Sequence, residues 1–512
     1  MARRQAPEQK RRGTAIAFVG VTKLWRAAVV LAALGLLSYR FWHLDLAPFA
    51  RDEPQFLGAS ARQLQTGHWL SANPLYGNLG LRYGPAAFWF YGVVQAVADE
   101  DPRVAIVAMG LTVTLAHLAL CFALWRLFGG GVAFFAVLVA WVASSPYEFQ
   151  WSRLAWDLTS NAAVFAAAAL LCTYRDLGVG RALTLGTAIG LGLATHPMLM
   201  PFAFAALAVV GAELWAQGRR GLGPAAALVG SIVLVNVPYL LFLMRAPVVR
   251  RAARLPFSWD GFGWLFLQTP RIWTTWGLPY YFEGTWPAFR QWMGPSGRLL
   301  EPASEAAVVL FFALTIAGIV AAIVSEDPRV RRLGRVAALA WIGNVLLLAA
   351  VRLEVHAHYT FASQWVTVFG VASGLAWLRS RQPRAAAVAL AALAVVALAQ
   401  FSVLVDWMGF IRATGGTRSA GYGTPIGLQL EAMREVCATP EPAIVLREEI
   451  EMFPFAFQYH GATLAECRGK TVTVCGDAGP RLIMKPCPPP AEGTRVRRLR
   501  YAEGMGGRLR VD

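Results

Sequence analysis

The sequence predicts an all-α polytopic membrane protein of about 11 transmembrane helices, followed by a small α/β domain at its C-terminal end. Three observations carry this expectation. Of 512 residues, 56% are hydrophobic and only 15% are charged, whereas a soluble chain carries about 25% charged residues. Long uncharged stretches recur at residues 27–38, 104–125, 132–144, 225–244, 306–324 and 385–401. After residue 406 the composition turns polar and four cysteines appear. A bilayer core of about 30 Å needs roughly 20 apolar residues in a helix, and flanking Trp, Tyr or Arg complete the shorter stretches. Without water the backbone must satisfy itself, so a span is a helix or part of a closed barrel. Strict alternation is missing, which selects helices.

The net charge of +17 does not indicate nucleic-acid binding. The basic residues form short clusters beside apolar runs, the pattern of cytoplasmic loops. Residues 1–23 are one such cluster. No small-residue cleavage site follows the first apolar run, so it reads as an uncleaved first span with the N-terminus inside. Arg175 and Arg181, Arg219 and Arg220, Arg329–Arg335 and Arg379–Arg384 mark further cytoplasmic loops. Residues 245–254 are a basic run that this scheme places outside, against four loops that agree.

Counting from these loops makes residues 24–406 the transmembrane domain. Residues 44–103 form a first external loop, residues 245–304 a second, and residues 407–512 an external soluble domain. The apolar run 85–98 then does not cross. At 1.5 Å per residue it is about 21 Å long, and its Trp89, Phe90 and Tyr91 suit an interfacial or re-entrant helix. An odd number of spans agrees with an inside N-terminus and an outside C-terminus, an orientation suited to a bacterial inner membrane.

Cys121 and Cys172 lie in apolar helices as packing residues. Cys437, Cys467, Cys475 and Cys487 are separated by 29, 7 and 11 residues, gaps that fit no usual zinc pattern. An even set confined to one external segment suggests two disulfides, with the connectivity open.

The segment 46–91 carries the most chemistry. Asp52 and Glu53 sit just past the external end of the first span. An amphipathic helix at 54–65 follows, and Arg82-Tyr83-Gly84-Pro85 leads into the aromatic helix. Carboxylates at a membrane edge are costly to desolvate and tend to be functional. They equally suit the cap and first turn of the following helix, with Pro54 at its first position. The residues alone leave these readings balanced.

This segment resembles the first external loop of the GT-C glycosyltransferases, in particular the branch containing protein O-mannosyltransferases and the aminoarabinose transferases of lipid A. The matching residues are Arg51-Asp52-Glu53 and Arg82-Tyr83-Gly84-Pro85, the latter standing where the family commonly has Lys-Pro-Pro. A second match is 144–161, SSPYEFQWSRLAWDLTSN, whose Asp157 falls where the family places another external acidic residue. The topology count puts Asp157 on the same face as Asp52. Asp157 also reads as an N-cap, and Arg153 as its i,i+4 partner.

The resemblance implies a glycosyltransferase that moves a sugar from a polyprenyl-phosphate donor to a lipid, glycan or protein acceptor, with inversion. Asp52 is then the catalytic base, with Glu53 and Asp157 beside it. The departing lipid phosphate calls for a cation. Arg82 with Tyr83 is the first candidate, and Arg153, Arg352 and His358 are further ones. His356 and His358 form an external His-x-His that could join Glu354 or Asp157 around a metal, although loop polarity explains it as well. No cofactor or metal is assigned. His196, in LATHPM, reads as a satisfied polar group at a helix end.

The competing reading is a polytopic transporter or lipid flippase. It calls for ionisable residues near span centres or for broken helices. The Gly-rich stretch 184–196 is the one candidate break.

Overall fold

A computed structural model describes residues 27, 31, 34–35, 37–49, 52–73, 82–98, 101–157, 159–245, 259–275, 278, 285–351, 357–417, 422–448, 454–476, 487, 489, 492–502 and 508–512. Among the described residues six helices are long and apolar enough to cross a membrane: Pro102–Phe128, Pro197–Ala216, Arg219–Leu243, Pro295–Ile323, Pro328–Val351 and Pro383–Thr414. Shorter apolar helices at Ala86–Ala98, Gly131–Ser144, Asn161–Thr173 and Val179–Leu193 pack among them, and Gln364–Arg381 fills the centre with twelve buried residues.

The Gly-rich stretch is not a break. Val179–Leu193 is one continuous helix, and its glycines serve packing. A Cβ at Gly186 would stand 2.1 Å from Ser231 Oγ, so only glycine lets helix Arg219–Leu243 approach this closely. Asn236 then donates to the Gly190 carbonyl at 3.0 Å.

Charged residues also lie buried inside the bundle. Arg40, His117 and Glu148 are each 1% exposed and form a chain. Arg40 donates to Thr114 Oγ1 at 3.4 Å and to the Val142 carbonyl at 3.1 Å, and meets His117 Nδ1 at 3.5 Å. His117 Nε2 lies 3.4 Å from Glu148 Oε2, to which Asn161 donates at 3.2 Å. In hydrocarbon such groups persist only when turned on one another. Each is isolated in sequence, which is why it escaped notice there.

The first loop holds two helices. Glu53–Thr66, close to the expected 54–65, stacks Phe56 on Phe88 of Ala86–Ala98 at 4.8 Å. Gln63 donates to the Phe88 carbonyl, and Gln95 donates to that of Leu57. The expected second loop, 245–304, is described in part. It contains Trp259–Arg271 and Trp286–Trp292, but residues from Pro295 already belong to the long helix Pro295–Ile323.

Beyond Pro383–Thr414 the chain forms a four-stranded sheet of order β2-β1-β3-β4, from β1 (Ala443–Glu448), β2 (Thr471–Cys475), β3 (Thr494–Tyr501) and β4 (Leu509–Val511). β1 runs parallel to both neighbours and β4 is antiparallel to β3. Helices Ile426–Cys437 and Pro454–Thr463 pack on it. Disulfides join Cys437 to Cys467 and Cys475 to Cys487, while Cys121 and Cys172 are buried free thiols.

This domain clasps the start of the first loop. Ile426 N–H donates to the Ala47 carbonyl at 2.8 Å, and Gln429 donates to that of Phe49 at 2.7 Å. The Tyr422 hydroxyl donates to the Leu46 carbonyl.

Candidate active site

Asp52 stands at the N-cap position of Glu53–Thr66, yet its side chain makes no capping hydrogen bond. Its backbone is in the αR region rather than the extended region usual for a cap. Asp52 is half-buried and Glu53 is buried.

Asp157, 105 residues later in the chain, is brought to the same place and is 3% exposed. Burial, and then the nearby Asp52 carboxylate, push its carboxyl up to about 8. The segment bearing it is tied down on both sides. Tyr91 donates to the Trp156 carbonyl at 2.5 Å. Arg153 donates to the carbonyls of Trp42 and His43 at 2.9 and 2.6 Å, with its guanidinium 5.0 Å from the Phe149 ring centre. Burial first, then Asp157 and Glu53, raise the Tyr91 phenol.

Tyr83 completes the cluster. Its phenol is raised by burial and then by Asp157, Tyr359 and Asp52, and its ring lies 4.5 Å from that of His196. The Tyr239 hydroxyl donates to the Arg82 carbonyl at 2.8 Å, and the Arg82 guanidinium lies 5.8 Å from the Phe242 ring centre. Arg352 and His356 lie outside the described residues, as does the side chain of His358.

Gly84 locks this motif against the turn that carries His196. A Cβ there would stand 2.1 Å from the Ala194 carbonyl oxygen, which also accepts from Ala86 N–H at 3.1 Å. Gly84→Ala is expected to cost about 1–3 kcal/mol by overpacking. By displacing Tyr83 it should also lower turnover about 10- to 100-fold. Initial rates and thermal melting of the purified variant check this, and an unchanged rate would show that the contact is not needed.

The sequence reading missed His196, Tyr91 and Tyr359 as members of the cluster. His196 and Tyr359 sit at the ends of helices on the face that the topology count assigns to Asp157, and that shared face was the available signal.

A mostly helical body with six strongly apolar helices among the described residues and a small four-stranded sheet at its C-terminal end matches the GT-C glycosyltransferase fold. The chain is an integral membrane protein of that fold. Two crystal structures of ArnT from Cupriavidus metallidurans share it. The apo state aligns at a TM-score of 0.55 with 15% identity, over 90% of this chain and 87% of that one. The state bound to undecaprenyl phosphate aligns at 0.53 with 14% identity, over 89% and 87%. An oligosaccharyltransferase from Archaeoglobus fulgidus aligns at 0.47 with 12% identity, over 87% of this chain and 62% of that one. No protein-family profile and no curated protein matches the sequence.

Proposed function

We propose that the protein is a membrane glycosyltransferase that takes a sugar from a polyprenyl-phosphate donor and transfers it, with inversion, to an acceptor on the extracytoplasmic face. The observation that carries this is the convergence of Asp52, Glu53, Asp157 and Tyr83 on one end of a GT-C body. A structure of this fold, ArnT, holds undecaprenyl phosphate, which supports a lipid-phosphate leaving group here.

In the proposed step the acceptor oxygen or nitrogen forms a bond to the anomeric carbon as the bond from that carbon to the lipid phosphate breaks. Asp52 takes the acceptor proton, and the electron pair leaves with the phosphate. Glu53 and Asp157 shape the field around Asp52. Arg82 and Tyr83 are the proposed contacts for the phosphate, with Arg352 and His358 as further candidates. Arg153 is assigned instead to holding the turn at Trp42 and His43, since both of its terminal nitrogens donate there.

The orientation that goes with this reading has the N-terminus in the cytoplasm and residues 407–512 outside, in a bacterial inner membrane. The acceptor class is lipid, glycan or protein. The test uses purified protein in proteoliposomes, a pool of radiolabelled polyprenyl-phosphate sugars and a cell-envelope extract. Label should move to an acceptor with release of polyprenyl phosphate. Absence of both transfer and release across the pool would refute the proposal.

A further inference from the structure

We propose that His196 is a positioning residue that orients the Asp157 carboxyl group through its Nε2–H. The inference rests on the proposed role of Asp157 in the transfer site.

The geometry begins with the backbone. Met198 N–H donates to His196 Nδ1 at 3.1 Å, so Nδ1 carries the lone pair and Nε2 carries the proton. Nε2 lies 3.9 Å from Asp157 Oδ2. That is one small movement short of a hydrogen bond, as is common for catalytic contacts before substrate tightens them. The ring has little freedom to turn elsewhere. It is 3% exposed and is held 4.5 Å from Tyr83 and 5.7 Å from Phe361. Burial also lowers the imidazole to about 3, so His196 stays neutral and acts as a donor only.

The groups around Asp157 are Asp52 on the first loop, Tyr83 on its motif, Tyr91 on Ala86–Ala98, and His196, while Glu53 acts on Tyr91. Tyr359 joins them through Tyr83. Burial and the nearby Asp52 both disfavour charge on Asp157, so at neutral pH Asp157 keeps its proton. A donor aimed at Oδ2 makes that oxygen the acceptor. The proton that Asp157 holds then lies on Oδ1, so the donor fixes the orientation of the acid.

Two substitutions separate this role from a structural one. His196→Asn keeps an acceptor near Nδ1 for the Met198 amide but does not reach Asp157. His196→Gln places an N–H near the Nε2 position. Removing the donor disfavours the ionised form of Asp157, so Asp157 loses its proton at higher pH. With His196→Asn the alkaline limb of the turnover profile should move up by about one pH unit, and turnover should fall about tenfold with donor KM little changed. His196→Gln should keep both within about threefold of wild type. If Asn is as good as Gln, or if neither moves the limb, His196 is only a cap and the proposal fails. Asp157→Asn is the separate control. It should abolish the alkaline limb, and full activity with an intact limb in that variant would refute the reading of Asp157 itself.

Discussion

Asp52→Asn is expected to lower turnover by about 10²–10⁴-fold, the usual contribution of a general base. The substitution keeps the size of the side chain and removes its charge and its ability to take a proton. Its cost to the fold should be small. Asp52 makes no side-chain capping bond to helix Glu53–Thr66, and Asn caps about as well as Asp where a cap is needed. Donor KM and thermal melting should therefore stay near wild type while the rate falls. The structure adds a reason to expect a large effect. Asp52 and Asp157 sense one another, so removing one charge also lets the other ionise at lower pH, and the surviving carboxylate is buried where an acceptor would have to meet it differently. Wild-type turnover in well-folded Asp52→Asn protein would remove the central assignment and leave the fold untouched.

Glu148→Leu is expected to be the most destabilising single change, at about 3–5 kcal/mol. Arg40 and His117 would remain buried beside a leucine, and Asn161 would lose the acceptor of its amide. Glu148→Gln should cost less because it keeps the shape and an oxygen for Asn161. The double variant Arg40→Met with Glu148→Leu should recover much of the loss, since it removes the stranded charge as well as its partner. Thermal melting in a mild detergent, with the yield of monodisperse protein, checks the series. A double variant no more stable than Glu148→Leu alone would show that the chain from Arg40 to Glu148 is not an energetic unit.

Much of the helical body was legible in hydropathy because the bilayer imposes one strong requirement on every span. The first loop was legible too: its helix, its acidic pair and the Arg-Tyr-Gly-Pro motif are contiguous, so short-range pattern is enough. What escaped notice depends on distance in the chain. His196 reads as a helix-end residue until Met198 fixes its tautomer and Asp157 arrives from another turn. Arg40 stands just after the apolar run 27–38, and nothing near it in sequence announces Glu148. Gly84 is visible in sequence only as part of its motif, whereas its demand comes from Ala194. The Gly-rich stretch 184–196 erred the other way. Glycines there serve close helix contact, and local composition does not distinguish that from a break.

The clasp between the first loop and the C-terminal domain bears on how the molecule is made. The partners Leu46 and Tyr422 are 376 residues apart, and Phe49 and Gln429 are 380 apart. At about 5–20 residues per second of synthesis, the loop that presents Asp52 waits on the order of tens of seconds for the segment that braces it. Nascent chains that stop just before residue 422 would hold every apolar helix and still lack the brace. Completion of the brace is thus tied to synthesis past residue 429, and a ribosome that leaves before it makes a membrane-inserted chain with an unbraced first loop.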